Sequence, residues 1–167
     1  MLFPTVKGAS LAGRSFTLPT DLEGRWNIVA LTFGRHQQDD VDTWLPTLKL
    51  LQARYPDLCY YTLQIVGRTG PLSRWYNNTK MRFEVFDRDT RSHTIAIHQD
   101  RRTFFDVFGL AGEEQIVVML LDQSGYIYWR ADGLYTYEQA EELVSVLDSY
   151  QISQVNDGWT APAAYWE

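Results

Sequence analysis

The side chains of this sequence that could do chemistry are concentrated in one polar loop. His36, Asp39 and Asp40 share that loop, and an imidazole beside carboxylates is a donor set that divalent metals accept, with His98 or Asp100 as further ligands. The two aspartates also suit the first turn of a helix, where carboxylates favour the positive end of the dipole. A helix start explains both aspartates without a metal ion and without ligands from elsewhere in the chain. The sequence therefore predicts no metal and no cofactor.

The only thiol of the chain is Cys59. A single cysteine cannot form a disulfide within a monomer, and free cysteine is among the residue types most often buried. Because Cys59 stands in an apolar run, "DLCYYTLQIV", we expect it to be an inert core residue. A reactive role would need exposure and a lowered pKa.

Composition excludes several classes of partner. The net charge is −6 and the basic residues are scattered, whereas nucleic-acid binding needs a clustered basic face. No apolar run approaches the roughly 20 residues of a membrane span, and the first residues lack the pattern of a signal peptide. The sequence predicts a cytoplasmic protein that binds no nucleic acid and does not insert into membranes.

Apolar runs and amphipathic segments alternate along the chain. They predict the strands and helices that position the polar loop and Cys59. Buried strands are predicted at 26–33, 58–66, 93–98 and 115–122, and a hairpin at Ser124 and Gly125 returns the chain through 126–133. A helix is predicted from Asp39 or Asp40 as cap, kinked at Pro46. Two more are predicted, one between an Asp100 cap and a Gly109 stop, and one from Thr136 with Gln139 as capping box.

The remaining segments carry weaker patterns. Residues 71–90 favour a helix, although residues 81–86 could equally form a strand. Residues 1–15 have little pattern and are expected to be an N-terminal extension of a single domain spanning 1–167. The tail, 151–167, carries Trp159, Tyr165 and Trp166. These aromatic residues either pack back on the protein or form a contact with a partner.

The order of elements predicts the fold class. Alternating strands and helices imply parallel strand pairs joined by crossovers, and the late hairpin adds an antiparallel strand. We therefore expect an α/β protein with a mixed central sheet and helices on both faces.

Several motifs carry a family resemblance. "FTLPTDLEG", "VALTF", Pro46 in the following helix, "HQD" with "FGL", and "VVMLLDQSGYIYW" stand in the order of a known pattern. Together they resemble the thioredoxin-like superfamily, of the peroxiredoxin and TlpA type. The resemblance implies a thioredoxin-like fold and a thiol redox site in the loop after residues 29–33.

That redox site is degenerate in this sequence. In register with the TlpA pattern, the two cysteines would fall at Gln38 and Val41, and Ile116 stands where thioredoxins carry a cis-proline. An amide and an isopropyl group cannot form a thiolate, which thiol chemistry requires. The degenerate active-site loop comprises Arg35, His36, Gln38, Asp39, Asp40 and Val41, with Ile116 facing it.

A second resemblance covers about the last half of the chain. "HTIAIHQDRRTFFDVFGL" and "VVMLLDQSGYIYWRADGLYTYEQAEEL" are similar to the mitochondrial family that assists assembly of the ATP synthase membrane sector. The sequence thus predicts a redox-inactive protein-binding or assembly module, whose partner is another protein or a second copy. The alternative is a peroxiredoxin-like enzyme using Cys59, or a metal-dependent enzyme using His36.

Overall fold

The computed structural model describes residues 1–67 and 88–152. The strands are β1 Val6–Ser10, β2 Ser15–Leu18, β3 Trp26–Thr32, β4 Leu58–Ile65, β5 Thr94–Ile97, β6 Val117–Leu121 and β7 Ile127–Asp132. The helices are α1 Gln38–Asp42, preceded by a 3₁₀ turn at Arg35–Gln37, then α2 Leu45–Arg54, α3 Arg88–Ser92, α4 Arg101–Phe108 and α5 Tyr137–Ile152.

The strands form one mixed sheet in the order β2-β1-β5-β4-β3-β6-β7. β3, β4 and β5 run parallel, while β6 pairs antiparallel with β3 and β7 antiparallel with β6. All residues of β3 and β6 are buried, as expected for central strands that read as continuous apolar runs. The predicted α/β class with a mixed central sheet is confirmed.

Helices cover the two faces of this sheet. Phe104 and Phe108 of α4 pack in one core cluster with alternate residues of β3 and with Met119 of β6. On the other face, Trp44 immediately before α2 stacks edge-on against Trp129 at 5.9 Å between ring centroids. Trp129 is the cross-strand partner of Leu120, whose side chain points away from that of its neighbour Met119 because side chains alternate along a strand.

Helix α4 begins and ends where the sequence predicted. The Asp100 carboxylate accepts a hydrogen bond from the Arg102 backbone N–H at 3.0 Å, which satisfies one of the donors left free at a helix start. Gly109 ends the helix in the left-handed region, with φ of 64°, where glycine has no steric penalty.

The helix predicted after the polar loop is interrupted rather than kinked. α1 ends at Asp42 and α2 begins at Leu45, so Pro46 lies in the first turn of α2. A proline is favoured there because its missing N–H would have no intrahelical partner anyway. The predicted caps are also wrong: Asp39 and Asp40 lie inside the first turn of α1 and no side chain caps it.

The expected N-terminal extension contains a strand of the sheet. β1 pairs with β2 on one side and with β5 on the other. A Cβ placed on Gly8 would lie 2.7 Å from the carbonyl oxygen of Ala96, so the two strands approach more closely than any side chain at this position would allow. Residues 6–10, which carry little pattern in the sequence, therefore form a strand within the sheet.

The chain divides into two compact units, residues 1–134 and 135–167. The second contains α5, and the Thr136 hydroxyl caps its start by accepting from the Gln139 N–H at 3.2 Å. The return bond of the predicted capping box is not formed, because the Gln139 Oε1 has no hydrogen-bond partner among the described residues. Residues 71–87 and the aromatic tail from 153 onward lie outside the described residues, so their predictions are untested. Among the described residues, no helix has the length and apolar character needed to cross a membrane.

Candidate functional site

The degenerate loop leaves the sheet at the carboxyl end of β3. Arg35 opens the 3₁₀ turn, the exposed His36 follows, and Gln38, Asp39 and Val41 fall in α1. His36 lies against Gly34, where an added Cβ would come within 2.6 Å of the ring. The structure thus places the predicted loop at the edge of the sheet where open α/β proteins commonly bind ligands.

Gln37, which sequence reasoning did not select, holds this loop in place. Its side chain is buried. Its Oε1 accepts a hydrogen bond from the Phe33 N–H at 2.7 Å, and its Nε2 donates to the Glu113 carbonyl at 2.6 Å. One amide therefore satisfies a buried backbone donor at the end of β3 and joins the loop to the segment before β6.

Three more contacts fix the same edge. The Trp44 indole Nε1 donates to the Gly133 carbonyl at 3.0 Å, and the Gly133 N–H donates to the Ile116 carbonyl at 2.8 Å. An ion pair joins Arg101 to Glu113 at 2.6 Å. The β3–α1 loop, the segment before β6 and the end of β7 thus form one connected edge, which we call the loop edge.

The two positions expected for the redox cysteines carry no thiol in this chain. Gln38 is half-buried, and its Nε2 donates to the Asp42 carboxylate at 3.0 Å. Val41 is fully buried, one turn further along α1. One position is accessible and the other is enclosed, but neither carries a sulfur atom that could form a thiolate.

Ile116 lies at the loop edge without the geometry of a cis-proline. Within residues 1–67 and 88–152 the one cis peptide bond is Leu18–Pro19, so the bond before Ile116 is trans. The Ile116 side chain is fully buried. The Ile116 side chain therefore packs in the interior beneath the loop edge and offers no contact surface to a partner.

An open cavity of about 210 Å³ indents the loop edge on the side of α4. Its walls are residues 109–112 together with Glu114, Gln115 and Asp132. The accessible carboxylates Asp39 and Glu114 lie at this edge, whereas Arg130 is tied to Asp132 at 2.8 Å and Arg101 to Glu113. The cavity is large enough for one side chain of a partner, and Glu114 and Asp132 are the acidic residues of its walls.

Cys59 lies at the opposite end of the sheet. It pairs with Asn27 in the parallel β3–β4 ladder, while the loop follows Thr32. Five residues of strand separate the two levels, which is about 17 Å. Burial, followed by the negative charge of Glu23, raises the pKa of the Cys59 thiol. The thiol is therefore remote from the loop edge and is held in its less reactive form.

His36, Asp39 and Asp40 are candidate metal ligands because they share one loop. In the part of the chain that the structure describes, no three histidine, cysteine, aspartate or glutamate side chains converge as ligands. Asp100, proposed as a further ligand, serves as the cap of α4.

Sequence reasoning found the loop but missed the residues that hold it. Gln37 lies within a polar run, "GRHQQDD", where nothing distinguishes it from the neighbouring Gln38. Glu113 and Trp44 contact the loop edge through pairings that span 76 and 89 residues of sequence, respectively. Such contacts leave no local periodic signal.

Known structures share this architecture. A thiol:disulfide interchange protein from Bacteroides sp. is 14% identical, with 94% of this chain and 91% of that chain covered and a TM-score of 0.55. The thioredoxin domain of a thiol-disulfide oxidoreductase from Bacteroides vulgatus is 15% identical, with coverage of 88% and 95% and a TM-score of 0.53.

BsSco, a member of the Sco family of cytochrome c oxidase assembly proteins, is 11% identical, with coverage of 90% and 94% and a TM-score of 0.57. No protein-family model matches the sequence, and no curated protein matches it significantly. At these identities the similarity establishes the fold alone. The chain therefore has the thioredoxin-like fold of thiol:disulfide oxidoreductases, with a single cysteine where a redox pair needs two.

Proposed function

We propose that this chain is a redox-inactive thioredoxin-like protein that binds a protein partner at the loop edge. The observation that carries the proposal is the buried Gln37 amide, which bonds both Phe33 and Glu113. This amide gives the edge a fixed shape, and the loop carries no thiol. A rigid edge without a thiol, beside an open cavity, supports binding of a partner at this place.

The charge at the loop edge favours a partner segment with basic side chains. Asp39 and Glu114 are exposed there, and the net charge of the chain is −6. Opposite charges on a partner would speed the encounter, and this effect weakens as salt screens the charges. The binding should therefore weaken with ionic strength, and we further propose that it takes place in the cytoplasm.

A role in the assembly of a protein complex is consistent with such a binding edge. BsSco belongs to a family of cytochrome c oxidase assembly proteins, and motifs in the last half of the sequence resemble those of an assembly chaperone family, although no family model matches the chain. Both similarities concern the scaffold, so the partner itself is defined only by its chemistry. The peroxidase alternative is not favoured, because Cys59 is half-buried and its thiol pKa is raised.

The redox half of the proposal is tested by thiol assays. Wild-type protein should accelerate neither insulin disulfide reduction by dithiothreitol nor peroxide consumption above the uncatalysed rate. The double variant Gln38→Cys with Val41→Cys is the matched comparison, since it places two thiols one helical turn apart on α1. We expect this variant to accelerate insulin reduction. Activity of the wild type would contradict the proposal.

The binding half is tested by position-specific photocrosslinking in the native cell. A benzophenone amino acid replaces the exposed His36 at the loop edge or, as control, the exposed Asp57, which precedes β4 at the opposite end of the sheet. We expect one discrete protein adduct from position 36, weakened by Asp39→Asn with Glu114→Gln, and none from position 57. Equal labelling from both positions would refute a binding site at the loop edge.

A further inference from the structure

The outer edge of β7 is open in the part of the chain that the structure describes. β7 is the last strand of the sheet, and its inner side pairs with β6. At its start, the first residues of the chain occupy the outer side: the Phe3 N–H donates to the Gly125 carbonyl and the Ile127 N–H to the Met1 carbonyl. Beyond Ile127 no described strand pairs there, and an open strand edge is a template for another strand.

The direction of each backbone group in β7 follows from its neighbours. The Gly133 N–H donates inward to Ile116, and Ala131 lies opposite Val118 of β6. Because backbone groups alternate in direction along a strand, those of Arg130 and Asp132 point outward. A bulge between Leu120 and Leu121 accounts for Ile127 also pointing outward.

The charges on this edge are self-complementary. Arg130 and Asp132 lie on the same face of β7, bonded to each other at 2.8 and 3.0 Å. In an antiparallel pair of two β7 strands related by a two-fold axis at Ala131, each Arg130 faces the Asp132 of the other copy. An axis at Arg130 or at Asp132 would instead put like charges opposite each other.

We propose that two copies of this chain associate through β7, antiparallel, with Ala131 on the two-fold axis. Each Arg130 then forms a hydrogen-bonded pair with the Asp132 of the other copy. Each of these two pairs exchanges two backbone hydrogen bonds, which gives about four in total. The paired stretch fits the open part of the edge, because the N-terminal residues already cover positions 125–127. The observations behind this inference are separate from those behind the function proposed for the loop edge, and the two surfaces share Asp132, which also lines the cavity.

A short strand pairing predicts a weak dimer. Interfaces well below about 1,200 Å² are those of transient complexes, so association should depend on concentration. Sedimentation equilibrium of the full chain up to about 1 mM, where millimolar affinities are still detected, should show a monomer–dimer equilibrium. A protein that stays monomeric throughout that range would overturn the proposal.

The register is tested by disulfide trapping. In a Cys59→Ser background, Ala131→Cys places the new thiol opposite its own copy, at the Cβ separation of about 4.5–5.5 Å expected between directly opposed residues. Oxidation should yield a covalent dimer. Asp106→Cys, on the exposed side of α4, is the control and should remain monomeric. Equal trapping at both positions, or none at position 131 in folded protein, would refute this register.

Charge exchange tests the pairing itself. Arg130→Asp puts two carboxylates opposite each other in the dimer and should weaken association by about tenfold. Adding Asp132→Arg restores opposite charges across the axis and should restore association. Circular dichroism establishes that both variants fold, which matters because Arg130 also donates to the Phe108 carbonyl. A folded double variant that remains as weak as Arg130→Asp would contradict the proposed contact.

Discussion

The buried Gln37 amide allows the sharpest test of how the loop edge is held. Gln37→Ala removes both of its hydrogen bonds, to the Phe33 N–H and to the Glu113 carbonyl. The Phe33 N–H is buried, and an unsatisfied buried donor costs about 1–3 kcal/mol. The Glu113 carbonyl is only partly buried and can bind water, so its loss costs less. We expect the free energy of unfolding to fall by about 2–4 kcal/mol in total.

That loss is measurable by denaturant unfolding followed by fluorescence. The midpoint concentration should fall while the slope of the transition stays unchanged. For a chain of this size, about 2–4 °C of melting temperature is lost per kcal/mol, so the decrease should be roughly 5–15 °C. Amide exchange at Phe33 should accelerate, because the N–H loses its acceptor.

Two further variants separate this explanation from a general effect of the loop. Gln38→Ala is the matched control: its side chain makes an exposed hydrogen bond to the Asp42 carboxylate, so its effect should stay within about 0.5 kcal/mol. Gln37→Glu keeps an acceptor for Phe33 but brings a second oxygen to the Glu113 carbonyl, and should also destabilise. If Gln37→Ala is as stable as Gln38→Ala, the proposed role of Gln37 is wrong.

Three other outcomes follow from the described contacts. Gly109→Ala should cost about 1–2 kcal/mol in a melt, because Gly109 has φ of +64°, whereas Gly112→Ala, with open space around it, should change stability by under about 0.5 kcal/mol. Burial raises the pKa of Tyr61 to about 12 from an ordinary 10. The folded state then keeps a proton that the unfolded state loses between these values, so stability should fall as pH rises from 10 to 12, and Tyr61→Phe should remove that slope in alkaline unfolding curves. Cys59 should react with a thiol reagent at pH 8 more slowly than free cysteine, and Glu23→Gln should speed the reaction, since Glu23 raises the thiol pKa; reaction at the rate of free cysteine would argue against the described burial.

Local signals in the sequence predicted the elements that depend on local physics. The ends of α4 were predicted from Asp100 and Gly109 because capping is decided within a few residues. The continuous apolar runs of β3 and β6 were predicted because burial on both faces selects such residues. Pro46 was predicted to kink the interior of one helix, whereas it begins a second one, because proline is better accommodated in a first turn than inside a helix.

The remaining features depend on long-range contacts that leave no local pattern in the sequence. Lys7 and Gly8 interrupt the apolar pattern of β1, and its strand structure comes from pairing with β2 and β5 on its two sides. Tertiary pairing of this kind commonly overrides weak strand propensity. Gln37 is equally hidden, because a polar residue in a polar loop gives no sign that its amide is buried.

The position of β1 between β2 and β5 has a consequence for synthesis on the ribosome. The β1–β2 hairpin is local and can form early, but Ala9 must wait for Ala96, 87 residues later, before its other side is covered. At about 5–20 residues per second, that delay is roughly 4–17 seconds. During that interval the nascent hairpin exposes the uncovered edge of β1, so this protein most needs a chaperone before the residues that form β5 have emerged.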